Sequence, residues 1–142
     1  ALTELTRAVV VPMVDRGRGA IINVASTAAF QPMPEMAVYA ASKGYVLQFT
    51  IALWEELLPT GVRAVAICPG PTDTEFFANA GDGSVLQRRR TPQQVVDATF
   101  RALQRHDPFV VDGLRNRALA LANRFAPRSV QARVARLVLH HA

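Results

Sequence analysis

Tyr39 and Lys43 stand four residues apart in VYAASKGYV, residues 38–46. Lys43 is the only lysine in the chain, and the other fifteen of its sixteen Lys and Arg residues are arginines. On a helix, residues i and i+4 share a face, so the phenol and the ammonium can approach one point. A free phenol titrates near pH ~10, and a nearby ammonium favours its ionised form. A tyrosine tuned this way can hand a proton to a carbonyl oxygen or take one from an alcohol. Lysine suits that task better than arginine, because its compact ammonium can also reach hydroxyls of a bound cofactor. The same spacing also fits a core tyrosine beside a solvated lysine, so the pair needs context.

The context comes from two strand ends. AIINVAS, residues 20–26, is a short β-branched run with little alternation, the pattern of a strand buried on both faces of a parallel sheet. It ends in Ser26. VRAVAIC, residues 62–68, has the same character and runs into the turn-rich PGPTDTEFF. In a parallel α/β sheet the C-terminal strand ends form the binding crevice. Ser26, the Tyr39–Lys43 pair and the 69–74 loop are therefore expected at one edge of a sheet.

The elements that must carry these residues follow an α/β order. Residues 1–16 read as a helix with apolar Leu2, Leu5, Val9 and Met13, and Pro12 should bend or weaken its last turn. Gly17 and Gly19 end it. Val38 to Leu58 is a long helix closed by Pro59 and Gly61. A short helix is expected to open near Thr74. Thr91-Pro92-Gln93-Gln94 offers an N-cap, a first-turn proline and a capping-box partner for a helix to about Arg105. FVVDG, residues 109–113, is a third strand candidate. Residues 114–139 are arginine-rich and amphipathic, two short helices around Pro127. One domain over residues 1–142 is expected, with no internal repeat.

Residues 20–46 resemble the catalytic segment of the short-chain dehydrogenases/reductases. Asn23-Val24-Ala25-Ser26 is similar to the strand end carrying that family's serine, and Tyr39-Ala40-Ala41-Ser42-Lys43 to its tyrosine-to-lysine motif. Cys68 to Thr74 resembles the Pro-Gly-x-x-x-Thr stretch after the next strand. Three motifs in order make the resemblance specific, and VASTAAFQPMP with RTPQQVV is nearest the ketoacyl-reductase-like branch. It implies a Rossmann-like doubly wound parallel sheet, present as its C-terminal half of about three strands. It implies an NAD(P)-dependent oxidoreductase that reduces a carbonyl, 3-oxoacyl thioesters included, or oxidises an alcohol. Tyr39 would be the general acid or base, Lys43 would tune it and hold the nicotinamide ribose, and Ser26 would donate to the substrate carbonyl. Pro69, Gly70, Pro71, Thr72 and Thr74 would line the nicotinamide and phosphate side. NADP or NAD would be the cofactor, with NADPH the favoured one. The helices at 1–16 and 39–58 would pack in a homo-oligomer.

The family's Gly-rich pyrophosphate loop, its Asn-Asn-Ala-Gly-like stretch and a catalytic asparagine are not among these 142 residues. The chain therefore reads as a portion of a longer enzyme, or as a truncated relative acting as an interaction or dimerisation module. Weak cofactor binding by the isolated chain is expected.

Composition narrows the remaining classes. Half the residues are apolar, which suits a globular core. No apolar run approaches the roughly 20 residues of a membrane span, and no secretory leader pattern is seen. The single cysteine, Cys68, excludes an internal disulfide and fits a cytoplasmic setting. A net charge of +5 suits anionic partners, or an arginine-rich genome. Arg88 to Arg90 fit a phosphate-bearing substrate or a solvated face. The amphipathic tail suits peripheral contact with an anionic membrane, whereas no aromatics interleave with the arginines to favour nucleic acid. His106, His140 and His141 lack metal-ligand spacing, so no metal site is expected.

Overall fold

The computed structural model describes residues 1–73 and 90–140, with side chains to Leu137. Helix α1 (Leu2–Asp15) leads into strand β1 (Gly19–Val24), and a 3-10 turn (Thr27–Phe30) precedes helix α2 (Ala37–Leu57). Strand β2 (Val62–Cys68), helix α3 (Pro92–Arg105) and strand β3 (Phe109–Val111) follow. Helices α4 (Leu114–Asn123) and α5 (Arg128–His140) complete the described chain. The strands form one parallel sheet in the order β1-β2-β3, with Gly19 beside Val62, Val24 beside Ile67, and Cys68 beside Val111. This is the Rossmann-like α/β arrangement expected above. The short helix expected near Thr74 lies outside the described residues.

Helices α1 and α2 cover one face of the sheet. Ile21, Leu53, Leu57, Val62 and Ala64 form a buried cluster there, with Val9, Val10, Met13, Phe49 and Trp54 packed against it. Strand alternation turns Arg63, Val65 and Ile67 to the other face. Arg63 donates there to the Leu103 carbonyl of α3, and Val65 and Ile67 are fully buried. With helices on both sides, β2 is the central strand and reads as a continuous apolar run from Ala64 to Cys68.

Strand β1 departs from the expectation of burial on both faces. Its residues alternate: Ile21 and Asn23 are buried, while Ile22 and Val24 are exposed. The reason is position. β1 lies at the sheet edge among the described strands, and α3 reaches only as far as β2 and β3. Burial is set by neighbours, which the composition of a strand does not record.

Pro12 lies within the helix expected over residues 1–16. Helix α1 continues through it to Asp15. The proline removes one backbone donor, but Val9, Val10 and Met13 on either side are seated on the core. Tertiary packing of an apolar face supplies most helix stability and holds this last turn.

The turn that enters β2 needs glycine for two reasons. Gly61 has φ +75°, and a Cβ there would stand 2.3 Å from the Gly17 carbonyl oxygen. At the other end, α3 opens on the capping box read from the sequence. Thr91 accepts from the Gln94 amide, and the Gln94 side chain accepts from the Thr91 amide. Among the described residues no helix is long and apolar enough to cross a membrane.

Candidate active site

Lys43 is placed by the sheet-facing stripe of α2. Leu47, Thr50, Leu53 and Leu57 are buried against the strands at three- and four-residue spacing, and Lys43 continues that stripe one turn towards the helix start. Its Nζ therefore meets the end of β1 and donates to the Val24 carbonyl oxygen at 2.9 Å. A second link fixes the same helix to the same strand. Asn23 Nδ2 donates to Thr50 Oγ1 at 2.9 Å inside the core, and Thr50 Oγ1 donates back to the Val46 carbonyl at 2.7 Å. The buried amide is thus satisfied.

Tyr39 sits one turn before Lys43, half-buried, with the lysine Nζ 5.8 Å from its ring centroid. Ser42 donates to the Tyr39 carbonyl and so turns away from the pair.

Ser26 is held by a continuation of the β1–β2 ladder. Ala25 N–H donates to the Ile67 carbonyl at 2.8 Å, and Thr27 N–H donates to the Pro69 carbonyl at 3.0 Å. The serine between them is extended and nearly buried. Its Oγ accepts from the Ala28 amide at 3.1 Å and caps the 3-10 turn. Cys68 lies beside it. Burial pushes this thiol up to about 12, against smaller lowering effects of the Ser26 backbone and the Lys43 charge. Cys68 is a buried core thiol.

The loop after β2 is the second wall. Thr72 Oγ1 donates to the Gly70 carbonyl at 3.0 Å. Arg90 N–H donates to the Pro71 carbonyl, and Asp73 N–H donates to the Arg90 carbonyl. Gly70 is enforced by packing. A Cβ at this position would stand 2.1 Å from Nδ2 of Asn116, which itself donates to the Asp112 carbonyl.

The structure thus brings Ser26, Tyr39, Lys43, Pro69, Gly70, Pro71 and Thr72 to the C-terminal edge of the sheet. Thr74 lies outside the described residues, as do Arg88 and the 74–87 segment. Four participants were not legible from the motifs: the Val24 carbonyl, the Thr27–Pro69 bond, Asn116 against Gly70, and the Arg90–Asp112 pair. In that pair Arg90 Nε and Nη2 donate to the two carboxylate oxygens of buried Asp112 at 2.9 and 3.0 Å. It raises the Arg90 pKa and clasps the 69–73 loop to the end of β3. Asp112, inside the strand candidate FVVDG, was the one available signal. No group of acids, histidines and cysteines suited to a metal occurs among the described residues.

A parallel sheet wrapped by helices, with polar side chains gathered at its strand ends, defines a Rossmann-type α/β protein. The short chain dehydrogenase family model matches residues 1–84. The chain belongs to the short-chain dehydrogenase family. It is 40% identical over 102 residues to sulfoacetaldehyde reductase 2 of Chromohalobacter salexigens, an alignment covering 68% of this chain and 40% of that protein. It is 34% identical over 111 residues to ketoacyl reductase HetN of Nostoc sp., covering 73% of this chain and 37% of the relative. A short-chain dehydrogenase of Sphingobium yanoikuyae, solved in complex with NADPH, superposes with a TM-score of 0.72 at 33% identity. That match covers 87% of this chain and 50% of the other. The chain thus spans about half the length of these proteins or less.

Proposed function

We propose that this chain supplies the proton-transfer and ribose-holding part of an NAD(P)-dependent oxidoreductase acting on a carbonyl or an alcohol, 3-oxoacyl thioesters included. The observation that carries the reading is the placement of Lys43. Its ammonium is bonded to the end of β1, 5.8 Å from the Tyr39 ring, at the strand end that continues into Ser26.

The residues present fit a nicotinamide cofactor. An ammonium has three N–H groups, and the Val24 carbonyl takes one. The remaining donors suit vicinal ribose hydroxyls. The backbone at Pro69, Gly70 and Pro71 suits the flat nicotinamide, and Thr72 and Thr74 are the contacts proposed for its phosphate side. The cofactor, when bound, supplies or accepts hydride. Tyr39 gives the carbonyl oxygen its proton, or takes one from the alcohol. Ser26 Oγ already accepts from Ala28, which leaves its O–H to donate to the reacting oxygen. NADPH is the favoured cofactor, supported by the Sphingobium relative solved with it.

The second reading, an interaction or dimerisation module, also has an observation behind it. Leu5 and Val11 on α1 and Val38 and Tyr45 on α2 are exposed. The Thr3 and Tyr45 hydroxyls are hydrogen-bonded across the two helices. We assign this helix pair to a homo-oligomer contact. Buried Cys68, a free thiol, fits a reducing compartment such as the cytoplasm.

The test is a titration of the chain with NADPH and NADH, followed by nicotinamide fluorescence, with Lys43→Ala and Tyr39→Phe alongside. Saturable NADPH binding that weakens in Lys43→Ala is expected. A folded chain that binds neither nucleotide, or binds equally well without Lys43, would sink the ribose-site reading and favour the interaction module.

A further inference from the structure

Helix α4 turns its two asparagines towards the protein: Asn116 donates to the Asp112 carbonyl at 2.7 Å, and Asn123 donates to Gln31 Oε1 at 2.8 Å. Its leucines face outward. Leu114, Ala118 and Leu121 are exposed at helical spacing, and the turn that follows adds Phe125 to the same stripe. Leu114 is 86% exposed and Phe125 83%.

Helix α5 repeats the pattern. Gln131 and Ala135 are buried, and Gln131 Nε2 donates to the Asn123 and Ala126 carbonyls, both at 2.7 Å. Val130, Val134 and Leu137 form its exposed stripe. The inward hydrogen bonds fix both helices about their axes, so the apolar stripes cannot roll into the core.

Charge decides what suits these stripes. From residue 113 to residue 142 the sequence has six arginines and no Asp or Glu. Arg115, Arg117, Arg124, Arg128, Arg133 and Arg136 are all exposed. Arginines beside outward leucines, valines and phenylalanine match the headgroup layer of a bilayer. The apolar side chains enter the acyl boundary while guanidinium groups reach lipid phosphates. An acidic protein surface would answer the charge but not the exposed leucines. A second copy would answer the leucines but set arginine against arginine.

We propose that α4 and α5 form a peripheral docking surface for anionic lipid. The helices lie on the bilayer and do not cross it. The proposal does not depend on the catalytic reading.

The test is co-sedimentation of the whole 142-residue chain with vesicles of phosphatidylcholine, with and without phosphatidylglycerol. Partitioning onto the phosphatidylglycerol vesicles, falling with salt, is expected. Leu121→Ser with Phe125→Ser should reduce it on the order of ten-fold. Arg124→Gln and Arg128→Gln should each reduce it roughly five-fold. All four side chains are exposed, so circular dichroism should match the parent. Three outcomes overturn the proposal: no partitioning, equal partitioning onto both vesicle types, or a folded Leu121/Phe125 variant that binds as well as the parent. A dimer seen by light scattering and dissolved by that variant, without vesicle binding, would assign the face to a second copy instead.

Discussion

The Lys43 ammonium donates to the Val24 carbonyl oxygen at 2.9 Å, so the chain's only lysine is tied to the last residue of β1. A single backbone acceptor thereby sets where the charge sits relative to Tyr39. Arginine would carry the same charge on a broader, planar head. Lys43→Arg should therefore keep the fold and lose about ten-fold in NADPH affinity, read by nicotinamide fluorescence. Unchanged affinity would show that charge alone suffices.

The Asn23–Thr50 bond joins the same two elements in the core. Thr50→Val keeps the shape and leaves the Asn23 amide unsatisfied. A loss of about 1–3 kcal/mol in urea unfolding is expected. Replacing both residues by apolar ones should cost less than the single change, because no buried donor is then left orphaned.

Gly70 and Asn116 compete for one space. Gly70→Ala should push the Asn116 amide off the Asp112 carbonyl and cost roughly 1 kcal/mol. Asn116→Ala removes the obstacle. The double variant should therefore be more stable than the sum of the two single losses predicts, a coupling that a double-mutant cycle measures.

Cys68 predicts an alkaline effect. Its pKa is about 12 in the folded chain against an ordinary 9.0. Between those values the unfolded chain has released the thiol proton and the folded chain retains it. Stability attributable to Cys68 is thus complete below pH 9.0 and falls as pH rises towards 12, by at most about 1.4 kcal/mol per pH unit. Cys68→Ala should flatten that part of the stability curve relative to the parent. Parallel curves for the two proteins would contradict the burial of this thiol.

The element order was legible because each strand is a β-branched run and each long helix has a marked end. Gly17, Gly61 and the Thr91–Gln94 box act locally, within a few residues of the backbone they shape. The helix expected over Val38–Leu58 is Ala37–Leu57, and AIINVAS holds β1 from Ala20 onward together with Ala25, whose N–H prolongs the ladder. What the sequence did not reveal is relational. Ile22 and Val24 look like the residues of β2, and they are exposed because β1 is an edge strand among the described strands. Pro12 is expected to weaken the last turn of α1, and the core packing of Val9, Val10 and Met13 that supports this turn is not written in the sequence around it. Asn116 against Gly70 and Arg90 with Asp112 join residues far apart in the chain, with no motif to announce either. At the site, the motif residues were nameable one by one. Their supports are mostly backbone carbonyls, which every residue possesses and no side-chain pattern marks.

The rungs on either side of Ser26 have a consequence for how the site can fail. Ala25 bonds Ile67 and Thr27 bonds Pro69, so the hydroxyl is indexed by strand register like a mark on a ruler. Side chains alternate faces along an extended segment. A one-residue deletion within β2 would therefore change which residues flank the serine, with no residue of the site altered. Misregistered molecules would keep their helices and lose this alignment, so the placement of one hydroxyl serves as a proofreading mark for the whole sheet.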